Sequence, residues 1–208
     1  MAEAIRLPAP RVSGGVAVER ALDTRRSLRE FAGETLGLPE LAQLLWAAQG
    51  VTTPDGRRTA PSAGALYPLE LYVVAGSVGG LPAGIYRYVP ADHCLVRAAS
   101  GDRRRALAAA ALGQDWMASA PVALLVAAVF HRARRRYRAR AEQYVHFEAG
   151  CAAQNVALQA EALGLGTVVV GAFDDAQVGK VTALPAGERP LAILPVGGRQ
   201  AGLDRAER

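Results

Sequence analysis

The stretch from Arg140 to Phe173 leaves the chain few options. Tyr144, Val145, Cys151, Ala152, Leu158, Ala162 and Leu163 distribute apolar side chains around a long helix and leave it no wholly polar face. The rest of the domain is therefore expected to enclose it. Gly150, Ala153 and Ala157 fall at i, i+3 and i+7, a stripe of small residues along which another element can approach the backbone. Gln154, Asn155 and Gln159 are polar on this rod and need hydrogen-bond partners if they are buried. Gly164 and Gly166 end the helix. Thr167-Val168-Val169-Val170 then reads as a short β-branched strand, and Gly171-Ala172-Phe173 leaves backbone with little side chain in front of it, where something flat could lie.

At 208 residues the chain suits one domain, expected over 16–199, with an arm at 1–15 and a polar tail at 200–208. Apolar residues make up 51% and charged residues 21%, which excludes wholesale disorder. Lys and Arg exceed Asp and Glu by 24 to 19, so the surface attracts anions. Nucleic acid, a phosphorylated cofactor and an acidic substrate all fit that charge. The arginine runs at 103–105 and 132–140 also fit solvated helix faces. Cys94 and Cys151 are the only cysteines and form no Cys-x-x-Cys pair, so a reducing cytoplasm is the expected setting. His93, His131 and His146 lack metal-ligand spacing, and no metal is expected. The longest nearly apolar run, Ala118 to Phe130, is too short to cross a bilayer and contains Pro121.

Taken in order, Val16 to Thr24 has helical spacing and ends in Arg25-Arg26-Ser27-Leu28-Arg29. This knot offers forked cations and a hydroxyl of the kind a phosphate requires. Leu38-Pro39 opens a second helix that runs to Gly50. The segment from Arg57 to Pro68 is punctuated by glycine and proline, and within it Pro61-Ser62-Ala63-Gly64-Ala65 is uniformly small. Strands are expected at Leu69–Ala75, Ile85–Tyr88 and Leu95–Ala98, a helix from Asp102 to Leu112, and a doubly buried strand within Pro121–Phe130. A short helix capped by Asp174 or Asp175 and a last strand, Leu191–Val196, complete the pattern.

Several familiar signatures are absent. Gly164-Leu165-Gly166 follows a helix and precedes a strand, the reverse of a dinucleotide-binding turn. Gly179-Lys180 is followed by Val181 and not by Ser or Thr, so it is not a phosphate loop of the Walker type. No Gly-x-Ser-x-Gly elbow, helix-turn-helix or RNA-recognition signature is present.

Four pieces, however, occur in a telling order: Arg25 to Arg29, Pro61 to Pro68, Gln114, and Gly164-Leu165-Gly166 leading to Val170-Gly171-Ala172-Phe173. From about residue 17 to 199 the chain resembles the nitroreductase family of FMN-dependent oxidoreductases. Within it, the resemblance is to the SagB-type dehydrogenases, which include azoline oxidases of peptide biosynthesis. The resemblance implies an α+β fold: a mixed sheet flanked by helices, a long buried central helix, and an intertwined homodimer with two FMN sites at its interface.

Carried over by position, the resemblance gives Arg25 and Ser27, with Arg26 in the same knot, to the FMN phosphate. Arg29 and Gln114 go to the pyrimidine edge of the flavin. Pro61, Ser62, Ala63 and Gly64 would line the ring and ribityl chain from the partner subunit. Val170 leads into Gly171 and Ala172, whose backbone would donate to N5 and O4, and Arg199 is a candidate further phosphate contact. Azoline oxidases carry a Lys-Tyr pair just before the central helix, where this chain has Arg136-Tyr137, the implied catalytic positions. The implied activity is hydride transfer through flavin N5 on a small-molecule or peptide substrate, with NAD(P)H a candidate reductant. An NAD(P)H-dependent reductase of nitro or quinone-like acceptors, a non-catalytic FMN-binding partner in a peptide-tailoring complex, and a nucleic-acid module built on Arg132–Arg140 are the competing readings. The resemblance implies neither nucleic acid nor membrane as a partner.

Overall fold

The computed structural model describes residues 4–199. Eight strands form one sheet: β1 (Ala4–Arg6), β2 (Phe31–Ala32), β3 (Leu69–Ala75), β4 (Gly84–Val89), β5 (Cys94–Ser100), β6 (Val122–Ala128), β7 (Leu165–Thr167) and β8 (Arg189–Arg199). Their order is β1-β5-β4-β3-β6-β8-β2, with β7 also paired to β8. Every strand pair is antiparallel. Parallel pairing is confined to single bridges, Ser27 with Thr167 and Leu36 with Val78, so the sheet is mixed only in that sense. Around it lie the helices α1 (Val18–Thr24), α2 (Leu38–Gln49), α3 (Arg104–Ala110), α4 (Phe130–Tyr137), α5 (Ala141–Ala162) and α6 (Asp175–Thr182).

The side-chain alternation of a strand sorts the core into two layers. Leu71, Val73 and Ala75 of β3 face one way, with Leu124 and Val126 of β6, and are covered by Leu41, Leu44 and Leu45 of α2 and Val145, Ala152 and Val156 of α5. Tyr72, Val74, Leu125 and Ile193 face the other way and are covered by Leu107 of α3 and Val178 of α6. Strand β6 is buried along its whole length because both of its faces meet helices, which is why its sequence is apolar without alternation. Leu41, Leu44 and Leu45 are fully buried; at roughly 1.5–3 kcal/mol for each such side chain, α2 is a principal fastener of its layer.

Central helix α5 runs 22 residues, about 33 Å. Its polar residues on the α2 side are satisfied: Asn155 Nδ2 donates to Ala47 O at 3.0 Å, and Gln43 Nε2 donates to Gln159 Oε1 at 3.0 Å. In the single chain it is not enclosed as its sequence leads one to expect. Gly150 and Gln154 are exposed and Phe147 is 59% exposed, so one face lies open while Ala153 and Ala157 are buried.

The strand expected over Thr167–Val170 is displaced. Pairing with β8 begins at Leu165 and ends at Thr167; beyond it only Val170 pairs, with Ile193. A close approach accompanies the shift: a Cβ at Gly166 would overlap the side chain of Leu28, and the chain enters the sheet two residues earlier than β-branching alone suggests.

Candidate functional site

One group of expected site residues gathers where α5 ends. The knot follows α1 directly: Leu28 N donates to Thr167 O at 3.1 Å, and Ser27 bridges the same residue. Glu161, near the last turn of α5, accepts from Thr24 Oγ1 at 2.6 Å and pairs with Arg199, whose Nε donates to Leu165 O at 3.2 Å. Arg25, Ser27 and Arg199 thus share the carbonyl end of α5, which favours cations. Arg199 reaches this cluster through an ion pair with Glu161, an interaction that a phosphate contact would have to share. Arg26 is turned elsewhere: its Nη1 donates to Asp23 O at 2.8 Å and Arg25 O at 2.9 Å, which caps α1. Among the described residues, Arg25 and Arg29 form no ion pair.

From Thr167 the chain leads to the flat surface. Val168 and Val170 are buried in the core layer under α3 and α6, so Val170 can offer a ligand only backbone. Val170 exchanges two hydrogen bonds with Ile193, of 2.8 and 2.9 Å, and these hold the segment against β8. Nothing lies within 4 Å of where a Cβ of Gly171 would stand. The N–H groups of Gly171 and Ala172 meet no backbone acceptor among the described residues. Gln114 Nε2 donates to Ala172 O at 3.1 Å, which brings the Gln114 amide beside this open backbone. Exposed donors, an uncovered glycine and a cationic knot fit a flat ligand that ends in an anion.

The second group lies where α5 begins. Ala63–Ala65 is a single 3-10 turn, and Gly64, Ala65 and Tyr67 all have positive φ, at 61°, 53° and 44°. Left-handed backbone at two non-glycine residues costs free energy and persists only when neighbours hold it. Here Ser62 Oγ accepts from Tyr67 N at 2.9 Å, Arg132 Nη1 donates to Tyr67 O at 2.9 Å, and the Arg58 guanidinium stacks 4.4 Å over the Tyr67 ring. A Cβ on Gly64 would lie 2.7 Å from Tyr137 Oη and 3.0 Å from Arg136 Nη1, so both implied catalytic residues sit against the small-residue loop. Tyr137 is braced edge-on by Tyr144, with ring centroids 4.9 Å apart.

Glu148 of α5, which sequence reasoning missed, lies under this loop. It is 4% exposed, and its Oε1 has no hydrogen-bond partner among the described residues. Burial pushes its carboxyl up to about 7, although the Ser62 hydroxyl and the Arg58 charge pull it back down. A lone carboxylate between Val145, Ala149 and Ala152 on an otherwise apolar stripe was the available signal.

The knot and the loop lie at opposite ends of the sheet, and Gly171, next to the Val170–Ile193 bridge, falls between them. Leu69, where the loop enters β3, pairs with Ala128, whereas the knot lies by Gly197 and Gly198 of β8, beyond the Val122–Val196 pair. Glu148 and Glu161 stand thirteen positions apart on α5, about 20 Å of rise. No cluster of side chains able to hold a metal occurs among the described residues, and no described helix is long and apolar enough to cross a membrane.

Comparison with known proteins gives these arrangements a context. The profile of the nitroreductase family matches residues 22–198. A protein described as a candidate nitroreductase from Methanocaldococcus jannaschii is 46% identical over 182 residues, covering 88% of this chain and 91% of its own. The crystal structure of a candidate nitroreductase from Ralstonia eutropha superposes with a TM-score of 0.84 at 33% identity, over 95% of this chain and 90% of that one. A chain of the Escherichia coli microcin synthetase McbBCD complex, solved with truncated pro-MccB17 bound, superposes with a TM-score of 0.73 at 25% identity, over 91% of this chain and 76% of that one.

Proposed function

The chain belongs to the nitroreductase family, whose members are oxidoreductases, and we propose that it uses FMN in two sites shared between the subunits of an intertwined homodimer. The observation that carries this reading is the separation of the two groups along α5. The small-residue loop lies by Glu148 and the knot by Glu161, about 20 Å of helix rise apart, and in this reading a second copy supplies the loop to a ring whose phosphate the knot holds. The open face of α5, with Phe147 and Gly150, is a surface such a partner would cover.

In this reading Arg25 and Ser27 hold the phosphate, with Arg199 beside them, and Gln114 and Arg29 take the pyrimidine edge. The N–H groups of Gly171 and Ala172 meet the ring, and Pro61, Ser62, Ala63 and Gly64 of the second chain close over it. When bound, FMN supplies acceptance and release of hydride at N5. Arg29 supplies fixed positive charge at the edge where negative charge gathers on reduction. Purified protein is expected to be yellow and to release about one FMN per chain on denaturation; colourless protein that takes up no added FMN would overturn the reading. The reducing cytoplasm is its proposed setting, with Cys94 and Cys151 as free thiols.

Arg136 bears on the choice between the substrate classes. Azoline oxidation requires a base for a carbon-bound proton, and a guanidinium stays protonated at working pH. Arg136 is therefore limited to orienting an anionic group, and Tyr137 is left as the residue beside Gly64 that can hold or move a proton. This favours an NAD(P)H-dependent reductase of nitro or quinone-like acceptors over an azoline oxidase within the SagB-type branch. Assays of the parent protein and Arg136→Lys on an azoline peptide are expected to show little turnover by the parent. Brisk parental turnover that disappears in Tyr137→Phe would reverse the preference.

A further inference from the structure

Beside the small-residue loop, a cavity of about 270 Å3 opens between the end of α2, the start of β3, the end of β4 and Arg132 of α4. Three guanidinium groups, those of Arg58, Arg87 and Arg132, face it against the single carboxylate of Glu70. Glu70 Oε2 accepts from Arg87 at 2.7 and 3.0 Å, and its Oε1 accepts from Arg132 Nη2 at 2.6 Å. One negative charge is thus shared by two cations, and the third, Arg58, donates from Nη1 to Gln49 Oε1 at 2.9 Å.

That last bond fixes the Gln49 amide. Because Arg58 can only donate, the atom it meets is the oxygen, and the amide nitrogen must point elsewhere. Gln49 is 1% exposed and lines the cavity, and its Nε2 has no hydrogen-bond partner among the described residues. That nitrogen has almost no accessible surface, so Gln49 acts on the cavity through the position it gives Arg58 and not as a donor to a ligand. Burial also pushes the Arg58 guanidinium below its ordinary value, a cost that an approaching anion would relieve. Val89, Pro90 and Ala91, none of them buried, supply apolar wall. Glu148 also acts on Arg58 through space, but its burial drives it toward the neutral form.

We infer that this cavity is a binding site for a carboxylate carried on an apolar body, which accepts from the surrounding guanidinium edges while its hydrocarbon part lies on Val89, Pro90 and Ala91. The proposal does not depend on flavin. Arg58 and Arg132 also hold Tyr67, so a bound carboxylate would act on the two groups that brace the left-handed loop.

The test is a calorimetric titration of the purified full chain with hexanoate, alongside 1-hexanol as its neutral counterpart and inorganic phosphate as an anion with no apolar body. Saturable hexanoate binding is expected, with hexanol and phosphate at least about tenfold weaker. Gln49→Glu keeps the bond to Arg58 but sets a negative charge against that guanidinium, and should weaken hexanoate about tenfold or more. Arg87 has a side chain 44% exposed, so Arg87→Gln should fold normally, and it should weaken hexanoate to a similar degree with flavin content unchanged. Absence of saturation, hexanol or phosphate binding equal to hexanoate, or full hexanoate affinity in Arg87→Gln would each overturn the proposal.

Discussion

The groups at the two ends of α5 are built on different principles. The knot at the carbonyl end is electrostatic: cations are presented on ordinary backbone, anchored by Leu28, Glu161 and β7, with open space in front of Gly171. The loop at the other end is steric: three left-handed residues are held by Ser62, Arg58 and Arg132 and pressed against Tyr137. An electrostatic half tolerates small displacements, because charge acts over several ångströms. A steric half does not, so the shape of any pocket shared by the two is set mainly by the loop.

The sharpest way to break this comparison is to damage each half in a different copy. Arg25→Ala alone should lose roughly one to two decades of FMN affinity, the worth of a hydrogen bond to a charged group. Gly64→Val places a branched side chain on the Tyr137 hydroxyl and should lose FMN as severely. Coexpressed, the two variants should form a mixed dimer with one intact site and one doubly damaged site, which recovers about half the parental flavin. Failure to recover any flavin in an isolated mixed dimer would place both halves in one chain's site.

A smaller effect sharpens the steric half. The Glu148 carboxyl is raised from its ordinary 4.5 to about 7 by burial, so the folded chain binds a proton more tightly than the unfolded chain. Its contribution is fully present below about pH 4.5 and is lost as pH rises through 7. Glu148→Gln removes the penalty of ionisation. It should match the parent in denaturant melts near pH 4 and exceed it by on the order of 3 kcal/mol at pH 8. A constant difference between the two proteins across that range would mean that the carboxyl titrates normally. The smallest effect belongs to Arg26. As a cap on α1, Arg26→Ala should cost about 0.5 kcal/mol in a melt and leave FMN affinity within about twofold, in contrast with Arg25→Ala. A tenfold loss of affinity would return Arg26 to the phosphate.

The parts legible in the sequence are those that local pattern determines. Apolar continuity marks β6, periodicity marks α2, and the length and composition of α5 identify it as the central rod. The knot could be read because its residues are adjacent. The misplaced strand at 167–170 shows the limit: β-branching favours Val168 to Val170, but the pairing with β8 lies at Leu165 to Thr167, where Gly166 meets Leu28. The open face of α5 was hidden for a related reason. Composition states that apolar side chains need cover but does not say whether the same chain provides it. Glu148 and Gln49 were missed because a polar residue inside an apolar stripe becomes informative only when its partners, or their absence, can be seen.

The bond network around Glu161 also sets an order in time. It ties Thr24, near one end of the described chain, to Arg199 at the other, and Phe31 pairs with Arg199 across the same corner. During synthesis at roughly 5–20 residues per second, the knot emerges long before the strand that completes it. Until Arg199 leaves the ribosome, Glu161 lacks its cation and β2 has no strand to pair with. Closure of this corner is therefore a late event that spans almost the whole chain, the kind of long-range contact that slows folding. If the proposed phosphate site is right, a nascent chain would complete it only once β8 had been made, so retention of a phosphate-bearing ligand would report that translation had passed that point.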